Sequence, residues 1–171
     1  MPGQRWTRQR SPPHIPRLRR YARALVGDRY AADDLVQDTL ERAINKYHLW
    51  RPGSDLRAWL FAIMHNVYVN QLRSRAARRE TSLEDGDALP QARGEVDRLE
   101  IRDVQTALAA LPAEQREVVL LVALEQMSYA QAGTALGIPV GTVMSRLFRA
   151  RERLRAHLDG ASQPSNLKLV R

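Results

Sequence analysis

Apolar residues along this chain recur at intervals of three and four. Alternation with a period of two is nearly absent, so the pattern predicts helices throughout. His14 to Val26 reads as a first helix, with Gly27 able to take the positive φ of a C-cap. Tyr30 to Leu49 reads as a second, with Leu35, Leu40 and Ile44 on one stripe. Pro52-Gly53 breaks the chain, and Ser54 is placed to cap a long third helix over Asp55 to Arg79. The stripe of that helix is Leu56, Trp59, Leu60, Ile63, Val67 and Leu72. Thr81 to Val96 holds Gly86, Pro90 and Gly94 with little to bury, and reads as a flexible acidic linker. Helices are predicted again over Asp97 to Ala110, Glu114 to Glu125 and Ser128 to Leu136. Pro112 stands near a helix start, where its missing N–H costs nothing. The expected fold class is therefore all-α, with two small helical domains joined by the linker.

The last two helices carry the most information. SYAQAGTALGIPVGTVMSRLFRARERL has the layout of a helix-turn-helix: a short helix with small Ala132 and Ala135, Gly137 at the corner, then a second helix at once. On that second helix Val143, Leu147, Ala150 and Leu154 recur at three and four and face a core. Thr142, Ser145, Arg146 and Arg149 then lie on the opposite side, with Arg151 and Arg153 further along. Small residues at the front let a helix enter a major groove, and arginine fits the O6/N7 pair of guanine and the phosphates. A solvated amphipathic helix would pair its arginines with acids, and from Val140 to Leu158 only Glu152 is available.

Charge agrees with that direction. The chain has 171 residues and a net charge of +8, and its pI of about 10.7 makes a polyanion a reasonable partner. The charge alternates along the chain: residues 84–125 hold ten acids against four arginines, between two basic segments. With no cysteine, disulfides and thiol sensing are excluded. His14, His48, His65 and His157 are scattered and show no metal-ligand spacing. No apolar run has the length of a membrane span, and the basic N-terminus lacks the apolar core of a secretory signal, so a cytoplasmic location is expected. No metal site, no cofactor and no enzymatic activity are expected, since neither a phosphate-cradling glycine loop nor a nucleophile–base pair is present.

Two further constellations lie in the first half. Asp33, Asp34, Asp38 and Glu41 put acids on one helix of a basic segment. The helix dipole accounts for acids in the first turn but not for Asp38 and Glu41. On the third helix Asn66, Asn70 and Arg73 share a face away from the Trp59–Ile63–Val67 stripe. Asparagine can pair with adenine, and an unpaired base offers its whole polar edge.

The segments LPAEQREVVLLVALEQMSYAQAGTALGI and GIPVGTVMSRLFRARERLR closely resemble region four of bacterial sigma factors. The type resembled is the small group-four one, called extracytoplasmic-function (ECF). YAADDLVQDTLERAI resembles the region-two segment that docks on RNA polymerase, and DLRAWLFAIMHNVYVNQLRSRAARRE resembles the promoter-reading helix after it. RPGSDLRAWLF is similar to the alphaproteobacterial general-stress subgroup.

The resemblance implies a factor that binds core RNA polymerase and directs promoter-specific initiation. Its domains would be a disordered basic N-terminus (1–12), region two (13–80), the linker (81–96), region four (97–160) and a flexible tail (161–171). Asp34, Leu35, Gln37, Asp38 and Glu41 would face the clamp helices of the largest polymerase subunit, with Leu35 shared between core and interface. Trp50, His65, Asn66, Asn70, Arg73 and Arg75 would serve the minus-ten element. Trp50 is either a base-stacking platform or a buried cap on the bundle. Thr142, Ser145, Arg146, Arg149, Arg151 and Arg153 would serve the minus-thirty-five element. Region four would meet the flap of the second-largest subunit, and an anti-sigma factor would supply control. A sigma mimic that binds an anti-sigma protein, or a helix-turn-helix repressor, would share parts of the pattern.

Overall fold

The computed structural model describes residues 14–81 and 99–161. The N-terminal segment, the linker beyond Thr81 and the C-terminal tail, each expected to be flexible, lie outside the described residues. Helices α1 (His14–Val26), α2 (Arg29–Asn45) and α3 (Leu56–Thr81) form a first unit, with a 3-10 turn at Tyr47–Leu49. Helices α4 (Leu99–Ala109), α5 (Ala113–Val119), α6 (Tyr129–Leu136) and α7 (Val140–Ala161) form a second. No strand occurs among the described residues.

Local chemistry sets most boundaries. Gly27 and Gly137 both take positive φ (76° and 65°) after their helices. Ser128 caps α6 in a reciprocal capping box with Gln131. The cap of α3 is Asp55 rather than Ser54. Its Oδ1 accepts from the Ala58 N–H at 3.1 Å, while Ser54 Oγ donates to the Arg51 carbonyl. The second helix ends at Asn45, short of Leu49. Its expected stripe fails there, because Ile44 is 68% exposed and no described residue covers that side. Tyr47 instead turns back to stack on Trp50, ring centroids 5.7 Å apart.

The stretch 114–125 is not one continuous helix. After Val119 the backbone widens into a π-helical turn, Leu120–Leu124, with the Glu125 N–H donating to the Leu120 carbonyl. The Glu125 side chain is thereby turned inward, and it is 0% exposed. Gln126 follows at φ 53°, the left-handed region. Gly133 lies in the tightest approach of the helix pair. A Cβ there would stand 2.9 Å from the Ile138 carbonyl oxygen.

The two units share one buried cluster. It joins Leu18, Tyr21, Phe61 and Met64 to Val118, Leu121, Ala132 and Val143. Helix α3 packs on α6, and α1 packs on the π-turn. Tyr21 meets Phe61 edge-on at 5.0 Å. Polar bonds then lace the seam. Arg20 pairs with Glu125 at 2.8 Å, Arg57 donates to the Glu125 carbonyl, and Gln131 donates to Asp55. His65 lies 2.8 Å from Glu117. Arg116 of α5 donates to the Leu25 carbonyl at the end of α1 and to the Leu108, Ala109 and Leu111 carbonyls at the end of α4. Burial first, and then the Glu117 carboxylate, push the Tyr21 phenol well above its ordinary pKa.

Two stability outcomes follow from these contacts. Gly133→Ala should lower unfolding stability by about 1–3 kcal/mol, since backbone rather than a flexible side chain must give way. Arg116→Met should cost about 1–3 kcal/mol, because it strips carbonyls at two helix ends of their donor. Chemical denaturation midpoints at unchanged slope measure both.

Candidate polymerase and nucleic-acid surfaces

The outer face of α2 is a stripe at spacings of four and three: Tyr30, Asp34, Gln37, Glu41 and Ile44, all exposed. Asp34, Gln37 and Glu41 are where the sequence puts them. Tyr30 (80% exposed) and Ile44 frame the acids with apolar surface. Neither was singled out from the sequence as a contact residue, although the same helical spacing was available there. Leu35 points the other way and is fully buried, so it offers no contact surface. Asp38 is half-buried and accepts from Gln71 Nε2 of α3 at 3.1 Å. The carboxylate that the helix dipole leaves unexplained thus has a structural use: Asp38 ties α2 to α3.

On α3, Asn66, Asn70, Arg73 and Arg75 are exposed. His65 is not brought together with them. It is half-buried and held by Glu117 across the seam. The Trp50 ring is half-buried against Tyr47, and its indole N–H is buried without a partner among the described residues. The cap reading of Trp50 fits this arrangement.

In the helix pair, Val143, Leu147 and Ala150 are buried as their spacing requires, and Leu154 is half-buried. Ser145, Arg149, Arg151 and Arg153 are exposed and Thr142 is half-buried. Ser145 Oγ donates to the Thr142 carbonyl. Arg146 differs from its expected free state: it pairs with Glu114 of α5 at 2.7 Å. Glu152 pairs with Arg155. Counting acids within one helix overlooked Glu114, which only the packing of α5 on α7 brings near. Met144 and Phe148 are exposed beside Ser145 and Arg149, Phe148 by 66%. Their offset from the Val143–Leu147–Ala150 stripe is visible in the sequence. The second unit also carries a groove of about 300 Å³, walled by apolar side chains such as Val104, Leu108, Leu120, Leu154 and Leu158.

Comparison with known proteins agrees with both halves. The family model described as "Sigma2 domain of PhyR" matches residues 12–65, and the one described as "Sigma-70, region 4" matches residues 101–154. The chain is 41% identical over 152 residues to the ECF RNA polymerase sigma factor EcfG of Rhodopseudomonas palustris, covering 86% of this chain and 83% of that protein. The chain belongs to the ECF sigma factors. It is also 40% identical to SigC of Mycobacterium tuberculosis, over 78% of this chain and 73% of that one. Among solved structures it is similar to the sigma factor RpoE from Bartonella quintana, in complex with the anti-sigma factor NepR. That similarity has a TM-score of 0.72 and 37% identity, and covers 85% of this chain and 92% of that one. Sigma factors bind core RNA polymerase and DNA and direct promoter-specific initiation, and this ECF sigma factor carries both regions that family requires.

The outer α2 stripe and Asp38 separate in one experiment. Asp34→Lys and Glu41→Lys should leave the melting midpoint of this sigma factor unchanged, as exposed substitutions do. Asp38→Lys should destabilise it by roughly 1 kcal/mol or more through loss of the Gln71 bond. Thermal melting of the three variants reads the difference.

Proposed function

We propose that this sigma factor divides initiation among these surfaces. The acidic stripe of α2, framed by Tyr30 and Ile44, docks on the clamp helices of the largest polymerase subunit. Asn66, Asn70 and Arg73 read unpaired bases of the minus-ten element. The front of α7 reads the minus-thirty-five element through Ser145 and Arg149, with Arg151 and Arg153 on phosphates. The apolar groove of the second unit receives the flap of the second-largest subunit. What carries the proposal is the front of α7, where Ser145, Phe148 and Arg149 are exposed on a helix-turn-helix.

The compact arrangement must then open. The names of the two promoter elements put about 25 base pairs between them, roughly 85 Å of B-DNA at about 3.4 Å per pair. A compact body of this size has a radius of gyration of about 15–16 Å. It cannot reach both elements while the seam is closed. His65 and Arg146 are engaged with Glu117 and Glu114 in this state, so opening of the seam releases His65 to the minus-ten side. We infer that an anti-sigma factor of the NepR kind regulates the chain and that it belongs to the EcfG-like general-stress subgroup. The RpoE–NepR complex and the EcfG relative support this. The match to the sigma-two domain of PhyR raises the mimic reading. The exposed arginines of α7 favour the true sigma factor.

Run-off transcription with core polymerase decides between them. The wild-type chain should start transcripts at defined sites, and a mimic would start none. Arg149→Ala should weaken promoter binding by about 1–3 kcal/mol and relax preference at one base pair. Arg153→Ala should weaken it about equally on every promoter. Wild-type output from Arg149→Ala on a promoter that requires the minus-thirty-five element would refute the assignment.

A further inference from the structure

The chain has four methionines and no cysteine. Methionine is therefore where its sulfur chemistry lies, and thioether oxidation to the sulfoxide is reversible. Met1 lies outside the described residues. Met64 and Met127 belong to the shared core, 0% and 3% exposed. Met144 of α7 is 53% exposed. Among the described residues it is the one sulfur that solvent reaches freely, and an oxidant must reach the sulfur to attack it.

The place of Met144 on the helix gives that exposure a consequence. It precedes Ser145 and stands one turn before Phe148, so thioether and ring share the front of α7 with Ser145 and Arg149. Core packing accounts for neither apolar side chain, because Val143, Leu147 and Ala150 carry the buried face and Phe148 is 66% exposed. An apolar pair beside an arginine suits a major groove, where the thymine methyl is met by apolar contact. A sulfoxide changes that surface: it is polar, and its oxygen must give up water on entering a contact made for a thioether.

We propose that Met144 is a reversible oxidation site through which a hydroperoxide weakens recognition of the minus-thirty-five element. The sulfur lone pair attacks one peroxide oxygen. The S–O bond forms as the O–O bond breaks, and the other oxygen takes a proton and leaves as water or an alcohol. Sulfur loses the two electrons that the peroxide gains. A methionine sulfoxide reductase reverses the step with a dithiol, which becomes a disulfide while the oxygen leaves as water. The effect on DNA rests on the promoter reading of α7 given above, whereas the selectivity of oxidation rests on burial alone.

The test treats the full folded chain with hydrogen peroxide and follows oxygen uptake at each methionine by mass spectrometry. Met144 should be oxidised at least about tenfold faster than Met64 and Met127, and at a similar rate to them in guanidinium, where burial is lost. Fluorescence anisotropy then measures binding to a labelled duplex that carries the minus-thirty-five element. Oxidised protein should bind several-fold more weakly, and treatment with methionine sulfoxide reductase should restore the affinity. Met144→Leu, compared with its own untreated affinity, should not respond to peroxide. Equal oxidation of the three methionines in the folded chain would overturn the proposal. So would a peroxide response that persists in Met144→Leu. An untreated chain that does not bind the duplex sinks the promoter reading of α7 and the effect on DNA with it, whereas oxidation confined to Met144 would stand by itself. Specific binding that survives full oxidation of Met144 sinks the switch alone.

Discussion

One guanidinium holds the two halves in register. Arg116 donates to the Leu25 carbonyl at the end of α1 and to three carbonyls around the end of α4. Helix ends leave carbonyls unsatisfied and carry partial negative charge, so a cation with several fixed donors suits two converging ends. Other seam contacts stand beside it: the π-turn lies on α1, Glu125 meets Arg20, and α3 packs against α6.

The seam also carries charge. Beside its apolar cluster it relies on charged groups. Arg20 is about half exposed, Glu125 is buried, and the second Glu125 oxygen has no partner among the described residues. Buried carboxylates regain hydration when such a contact opens, so separation costs less than tearing an apolar core of equal area. The neighbouring field points the same way. Burial first, and then Arg17 and Arg57, lower the pKa of His14 at the start of α1. A polyanion that approaches there gains from the field that the folded chain must otherwise tolerate.

Acids on α5 lend the closed state a further property. Glu117 holds His65, and Glu114 holds Arg146. The same short helix thus engages one residue from each of the two sets expected on DNA. Both pairs are exchangeable for other hydrogen-bond partners. Arg149, Phe148 and Ser145 are left outside them, and so the front of α7 remains available while its flank is engaged.

Much was legible in the residues alone. Periodicity marked the helices, because a helix must bury one stripe whatever it packs on. Gly27, Ser128 and Gly137 marked ends, because positive φ and side-chain caps are local requirements met by few residue types. The buried face of α7 and the exposure of Asn66 and Asn70 followed from spacing. Contacts between distant residues did not. Glu114 reaches Arg146 only because α5 crosses α7, and Glu117 reaches His65 only because the units close on each other. Gln71 gives Asp38 a structural duty from 33 residues away. The π-turn, one residue wider than an α-turn, turns Glu125 into the seam with no composition signal to announce it. The sequence determined which helices form and which faces they bury. The tertiary structure decided which charges are spent on one another and which remain free for a partner, since pairing depends on distances that no spacing along the chain encodes.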